Sequence, residues 1–173
     1  PIMTVMTTVT GWSLVSPGLY KARVVAPNDV RYVTIDGSPV EWGRTPNKGL
    51  GLASYNYMES AGTRTFTDNE LTVSPNRTGH RLHSKGETWS ICELIATSHV
   101  GTNITYRVGR RNLAGNSSFL RAPKANSGYI WVGNLIDCDQ YGEWHYDSTL
   151  KDLYMFFGTT DPNTKTVQIS TAN

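Results

Sequence analysis

Apolar and polar residues alternate with a period of two along most of the chain, the spacing that sends successive side chains to opposite faces of a strand. Met3–Thr10 alternates apolar residues with threonine. Gly18–Ala26 and Val30–Asp36 read as strands divided by the turn residues Pro27, Asn28 and Asp29. Asp36-Gly37 is a hairpin signal, and Pro39–Trp42 returns the chain. Gly43–Gly51, rich in Gly, Pro and Asn, reads as a loop. Thr88–Val100 is the longest apolar run and predicts the main core strand, and Asn103–Arg111 alternates cleanly after it. Tyr129–Cys138, Leu150–Thr160 and Thr166–Thr171 predict further strands; the last is polar at alternate positions and is expected at a sheet edge. Roughly ten to twelve strands at a spacing of about 8–12 residues, with no linker and no repeat, predict an all-β fold. The expected architecture is one β-sandwich or jelly-roll domain over residues 1–173.

Composition agrees with that pattern. Charged residues make up 17% of the chain, against about 25% in ordinary globular domains. Threonine, serine, asparagine and glycine take their place, which suits strands and tight turns and is common in secreted and cell-surface β proteins. The net charge is +2. The longest basic run is the pair Arg110-Arg111, so nucleic acid is not expected as a partner. The sequence contains no signal peptide and no apolar run long enough to insert in a membrane. An opening at Pro1 fits a mature or excised domain, or removal of an initiator Met. Cys92 and Cys138 both sit in strand-like apolar surroundings, and an even count in such a chain predicts one disulfide across the fold. It would close a loop of roughly 46 residues and stabilise by about 3–4 kcal/mol.

The candidate chemistry is concentrated in Tyr129–Asp147, where aromatics, carboxylates, amides and a histidine fall between two strand-like runs. A sugar ring has an apolar C–H face and a polar rim, so a glycan site pairs a stacking aromatic with carboxylates and amides. Tyr141 and Trp144 offer the faces, with Trp131 and Tyr146 as further aromatics; Asn134, Asp137, Asp139, Gln140 and Glu143 offer the rim. Gly142 marks this stretch as a loop tip, and the functional part is expected over Asp137–Trp144. Other chemistry is weaker. His80, His83 and His145 lack the spacing of a zinc site. Asp137 with Asp139, and Asp68 with Glu70, each place two carboxylates on one side of an extended chain, a pattern that suits Ca²⁺, yet neither forms a recognisable calcium loop. Glu93 is a carboxylate in the most apolar strand, sharing a face with Trp89 and Ile91, so it lies in a pocket or at a solvent edge. With Glu143 it is the candidate acid of a glycoside hydrolase. No nucleophile elbow or phosphate loop occurs. The sequons at Asn76, Asn103 and Asn116 are what chance yields in a Thr- and Ser-rich chain.

Gly18–Trp42 resembles the strand, turn, strand, Ile-Asp-Gly, strand run of carbohydrate-binding sandwich modules such as PA14-type domains, without the paired aspartates that hold calcium there. Tyr141–Tyr146 resembles a run in laminin-G-like sandwiches, and the general character is similar to lectin domains at bacterial pilus tips. No residue role carries over from these resemblances. The expected function is binding of a carbohydrate or glycoprotein receptor by a lectin-like adhesin at the cell or virion surface, for instance on a pilus (fimbrium) or phage fibre. It is expected to need no cofactor and no metal, to be no enzyme, and to adjoin a neighbouring subunit or second domain. A structural capsid, fibre or pilus subunit and a secreted glycoside hydrolase are the alternatives.

Overall fold

The computed structural model describes residues 6–24, 29–49, 54–87, 90–109 and 123–170. The chain is all-β, as its alternation predicts, and its sheets are antiparallel. The strands in order are β1 (Met6–Val9), β2 (Ser13–Ser16), β3 (Leu19–Arg23), β4 (Val33–Ile35), β5 (Ser38–Val40), β6 (Arg44–Thr45), β7 (Asn56–Tyr57), β8 (Ser60–Ala61), β9 (Thr65–Thr67), β10 (Arg81–Glu87), β11 (Ser90–Val100), β12 (Asn103–Val108), β13 (Gly128–Val132), β14 (Trp144–Asp147), β15 (Asp152–Phe156) and β16 (Val167–Ser170). Helical structure among the described residues is confined to short 3-10 turns such as Leu135–Asp137 and Pro162–Thr164.

The strands form two compact units. The first is built from Pro1–Arg44 and Gly133–Asn173, and the second, Thr45–Val132, is inserted between those halves in sequence. In the first unit two four-stranded sheets, ordered β1-β16-β4-β5 and β14-β15-β3-β2, share one core. Val33 and Ile35 from β4 and Val167 and Ile169 from β16 meet Trp144, Leu153 and Met155 from the other sheet. The Asp36-Gly37 hairpin is as expected: both residues have positive φ, 51° and 80°, and the turn joins β4 to β5. The final strand is not an edge. β16 lies between β1 and β4, with Val167 and Ile169 facing the shared core and Gln168 on the opposite side.

The second unit is one sheet, ordered β13-β10-β11-β12-β9-β8, with β7 also on β13. The predicted core strand is present as β11, the longest of the chain. Its inward set, Cys92, Leu94 and Ala96, is buried against Leu82, Ile104, Tyr106, Tyr129 and Trp131. Its outward set includes Glu93 beside the strongly exposed Ile91. Trp89, Arg110-Arg111 and the sequon at Asn116 lie outside the described residues.

The expected disulfide is absent. Cys92 and Cys138 are both buried, and neither is in a disulfide. Alternation along β11 turns Cys92 into the core of the second unit. Cys138 belongs to the first unit, where it follows the 3-10 turn at Leu135–Asp137 and packs against the backbone of Gly43. The Cys138 thiol donates to Asn134 O at 3.8 Å, and burial pushes the pKa of both thiols upward.

Candidate functional site

The loop from Asn134 to Trp144 lies in the first unit and is fixed from within. Asn134 Nδ2 donates to Asp137 Oδ2 at 2.7 Å, and both residues are buried. Glu143 is only 7% exposed. Its Oε2 accepts from the backbone N–H groups of Asp139 and Gln140 at 3.0 Å each, and its Oε1 accepts from the N–H of Arg44 at 3.3 Å. One carboxylate thus closes both the loop tip and the end of the strand beside it. Burial raises the Glu143 pKa, and those N–H donors pull it back down. Trp144 starts β14, donates its indole N–H to Val40 O at 3.2 Å, and packs edge-on against Trp42 with centroids 5.7 Å apart.

Two glycines permit this packing. A Cβ on Gly43 would stand 2.6 Å from Cys138 Sγ and 2.9 Å from the backbone of Asp137, so the loop lies directly on the backbone at Gly43 with no side chain between. Gly142 has φ +89°, and its position faces Val40, which favours a residue without Cβ on both counts. The loop is then tied to β15 by Gly142 N donating to Phe156 O and by Phe156 N donating to Glu143 O.

Of the residues singled out in the sequence, Asn134, Asp137, Glu143 and Trp144 are therefore buried and internally bonded, while Asp139, Gln140 and Tyr141 are exposed at the tip. Tyr141 is 51% exposed, and its ring stands edge-on to the buried Phe157 at 6.2 Å. Lys165, paired with Asp36 at 3.0 Å, interacts electrostatically with the Tyr141 hydroxyl. The tip exposes Asp139, Gln140 and Tyr141 in succession on a backbone already held in place by Glu143.

The other carboxylates separate by environment. Glu93 lies on the outer face of the second unit's sheet, 3.7 Å from Arg81 and 3.9 Å from His83. Burial lowers the His83 pKa, partly offset by Glu93. His145, in the first unit, bonds Gly133 O through Nδ1 at 2.8 Å. Among the described residues no cluster of three potential metal ligands includes a histidine. One acidic cluster does form: Glu59, Asp68 and Glu70 in the second unit bring ligand oxygens within 4.8 Å of one another. Asp68 and Glu70 are the pair noted in the sequence. Glu59 joins them because β8 pairs with β9, opposing Ser60 to Thr67.

That cluster adjoins a pocket of about 170 Å³ in the second unit, lined by Asn56, Asp68, Glu70, Thr72, Arg77 and Trp131 among others. Asp68 is buried, accepts a short hydrogen bond from the Tyr129 hydroxyl and takes the backbone N–H of Glu70 at 2.8 Å. Arg77 lies over the Trp131 ring, 4.9 Å from its centroid. Sequence reasoning missed this pocket as a unit. Its residues come from segments far apart in the chain, and only the β13–β10 and β9–β12 pairings bring them into one sheet.

No family model matches the sequence, and no curated protein does. Among solved structures, a protein named "Glycoside hydrolase" matches over 95% of this chain with a TM-score of 0.70 at 14% identity. The chain spans 31% of that protein's length, so the likeness is one of fold, to about a third of a larger chain.

Proposed function

We propose that this chain is a non-catalytic, lectin-like glycan-binding module on a β-sandwich or jelly-roll frame, with its contact surface at Asp139, Gln140 and Tyr141. The observation that carries this reading is the half-exposed Tyr141 ring at the tip of a loop clamped by Glu143. A shallow sugar site gains little per contact, so holding the loop in advance removes an ordering cost that binding would otherwise meet. Asn134, Asp137, Glu143 and Trp144 act from behind as positioning groups. The fold likeness to part of a protein named a glycoside hydrolase supports a carbohydrate-related role, with the module adjoining other parts of a larger assembly at a cell or virion surface. That same name favours a second reading, hydrolysis, with Glu143 as the acid; its three backbone N–H partners instead suit a fixed anion.

The test is a glycan-array screen followed by calorimetry on the best ligand. Tyr141→Ala is expected to weaken binding by about tenfold or more and Asp139→Ala by less, with an unchanged melting temperature. Full affinity in both variants would remove the loop tip as the site. Turnover of a chromogenic sugar panel, abolished by Glu143→Gln, would replace binding with hydrolysis.

A further inference from the structure

We infer that the outer face of the second unit's sheet is a docking surface for an acidic oligosaccharide, one whose carboxylates sit on separated rings. Alternation buries Leu82, Leu94 and Tyr129 and sends their neighbours in sequence to the other side. The register sets those outward residues in rows across the sheet. Arg81, Ile95 and Arg107 stand opposite one another on β10, β11 and β12. Ile130, His83 and Glu93 form the next row. Lys85 stands opposite Ile91 in a third, and one step beyond the Ser84–Tyr129 pair brings it beside Gly128. Gly128 leaves room on the sheet for an aromatic ring: a Cβ there would stand 3.6 Å from the ring of Tyr55. Tyr55 is 44% exposed and Ile91 68%. One row thus carries an open aromatic ring, a lysine and an open aliphatic side chain.

Charge selects the partner. Among the described side chains these rows hold Arg81, Lys85 and Arg107 against the single carboxylate of Glu93, an excess equal to the net charge of +2 on the whole chain. Glu93 has a side chain only 16% exposed and lies 3.7 Å from Arg81. Lys85 and Arg107 are exposed and, among the described residues, in no ion pair. At the spacings of a sheet, about 4.8 Å between strands and about 3.4 Å per residue, their Cα atoms stand about 17 Å apart. One sugar ring does not reach both, whereas a chain of several rings does. The C–H faces of such a chain fit Tyr55 and Ile91, and its carboxylates fit Lys85 and Arg107. A neutral glycan leaves both cations unused. A peptide draws its affinity from main-chain bonds at a sheet edge or from a groove, and β10, β11 and β12 are each paired on both sides. Nucleic acid calls for a denser basic surface than two free cations.

Isothermal titration calorimetry of the full chain at low salt tests this. The probe is a hyaluronan hexasaccharide, which carries a carboxylate on alternate rings, set against chitohexaose, a neutral chain of the same length. The charged glycan is expected to bind saturably and at least about tenfold tighter than the neutral one, with an affinity that falls as salt is raised. Lys85→Gln, Arg107→Gln and Tyr55→Ala, all at exposed positions, are each expected to weaken it by about tenfold with the melting temperature unchanged. Tyr141→Ala is expected to leave it untouched, so this surface stands or falls apart from the loop tip. Absence of saturable binding, equal binding of chitohexaose, equal binding of a polyglutamate peptide or single-stranded DNA of the same charge, or full affinity in any of the three variants would each overturn the proposal.

Discussion

The loop of the first unit and the pocket of the second use the same residue types to opposite ends. In the loop, Glu143 spends both oxygens on backbone N–H groups and Asn134 is matched to Asp137. In the second unit, Glu59, Asp68 and Glu70 crowd one another beside a pocket that Asp68 and Glu70 line. A buried carboxylate matched by backbone donors is a structural part; carboxylates that crowd one another at an exposed edge are not held in that way. Composition does not separate the two, and hydrogen-bond accounting does.

The contrast is sharpest in stability. Glu143→Ala leaves three backbone donors without their acceptor and is expected to cost about 2–4 kcal/mol in urea unfolding. Glu70→Ala, at an exposed position, is expected to stay within about 0.5 kcal/mol. Equal losses would erase the distinction between the two regions.

The thiols give a smaller effect. Cys92→Ala and Cys138→Ala are each expected to cost about 1 kcal/mol, the scale of a small buried group. Reductant is expected to leave the melting temperature of the native chain unchanged, and a maleimide is expected to label both thiols only after unfolding. A reductant-sensitive transition would show the cysteines acting as a bonded pair.

The smallest effect is the pH dependence. Burial holds the folded Glu143 pKa above its ordinary 4.5, so the folded state binds more protons just above that pH and its contribution falls as pH rises through the window. His83 has a folded pKa below its ordinary 6.5, so its contribution is lost as pH falls from about there toward the folded value. Urea midpoints measured across this range are expected to lose the first slope in Glu143→Gln and the second in His83→Gln. Slopes unchanged by those substitutions would assign the pH dependence to other groups.

Much of the fold was legible because strand periodicity and turn chemistry are local. β11 and the Asp36-Gly37 hairpin are written in adjacent residues. The place of β16 was not, since a strand with one polar face looks the same at an edge as between two partners. The disulfide failed for a related reason: an even cysteine count carries no distance. At the site, Tyr141, Asp139 and Gln140 kept the exposure that their loop setting suggested. Asn134, Asp137 and Glu143 did not, because a carboxylate that caps its own loop and one that meets solvent have the same neighbours in sequence. Asp68 and Glu70 were visible as a pair, whereas Glu59 and Trp131 joined them only through strand pairing.

The insertion of the second unit between the halves of the first has a consequence for synthesis. As the chain leaves the ribosome, β4 must wait for β16, its partner more than a hundred residues downstream, before the first core can close. The second unit is contiguous and has all of its strands once residue 132 has emerged. Folding during translation is thus expected to run from the middle outward, with the amino-terminal strands the first made and among the last to find their places.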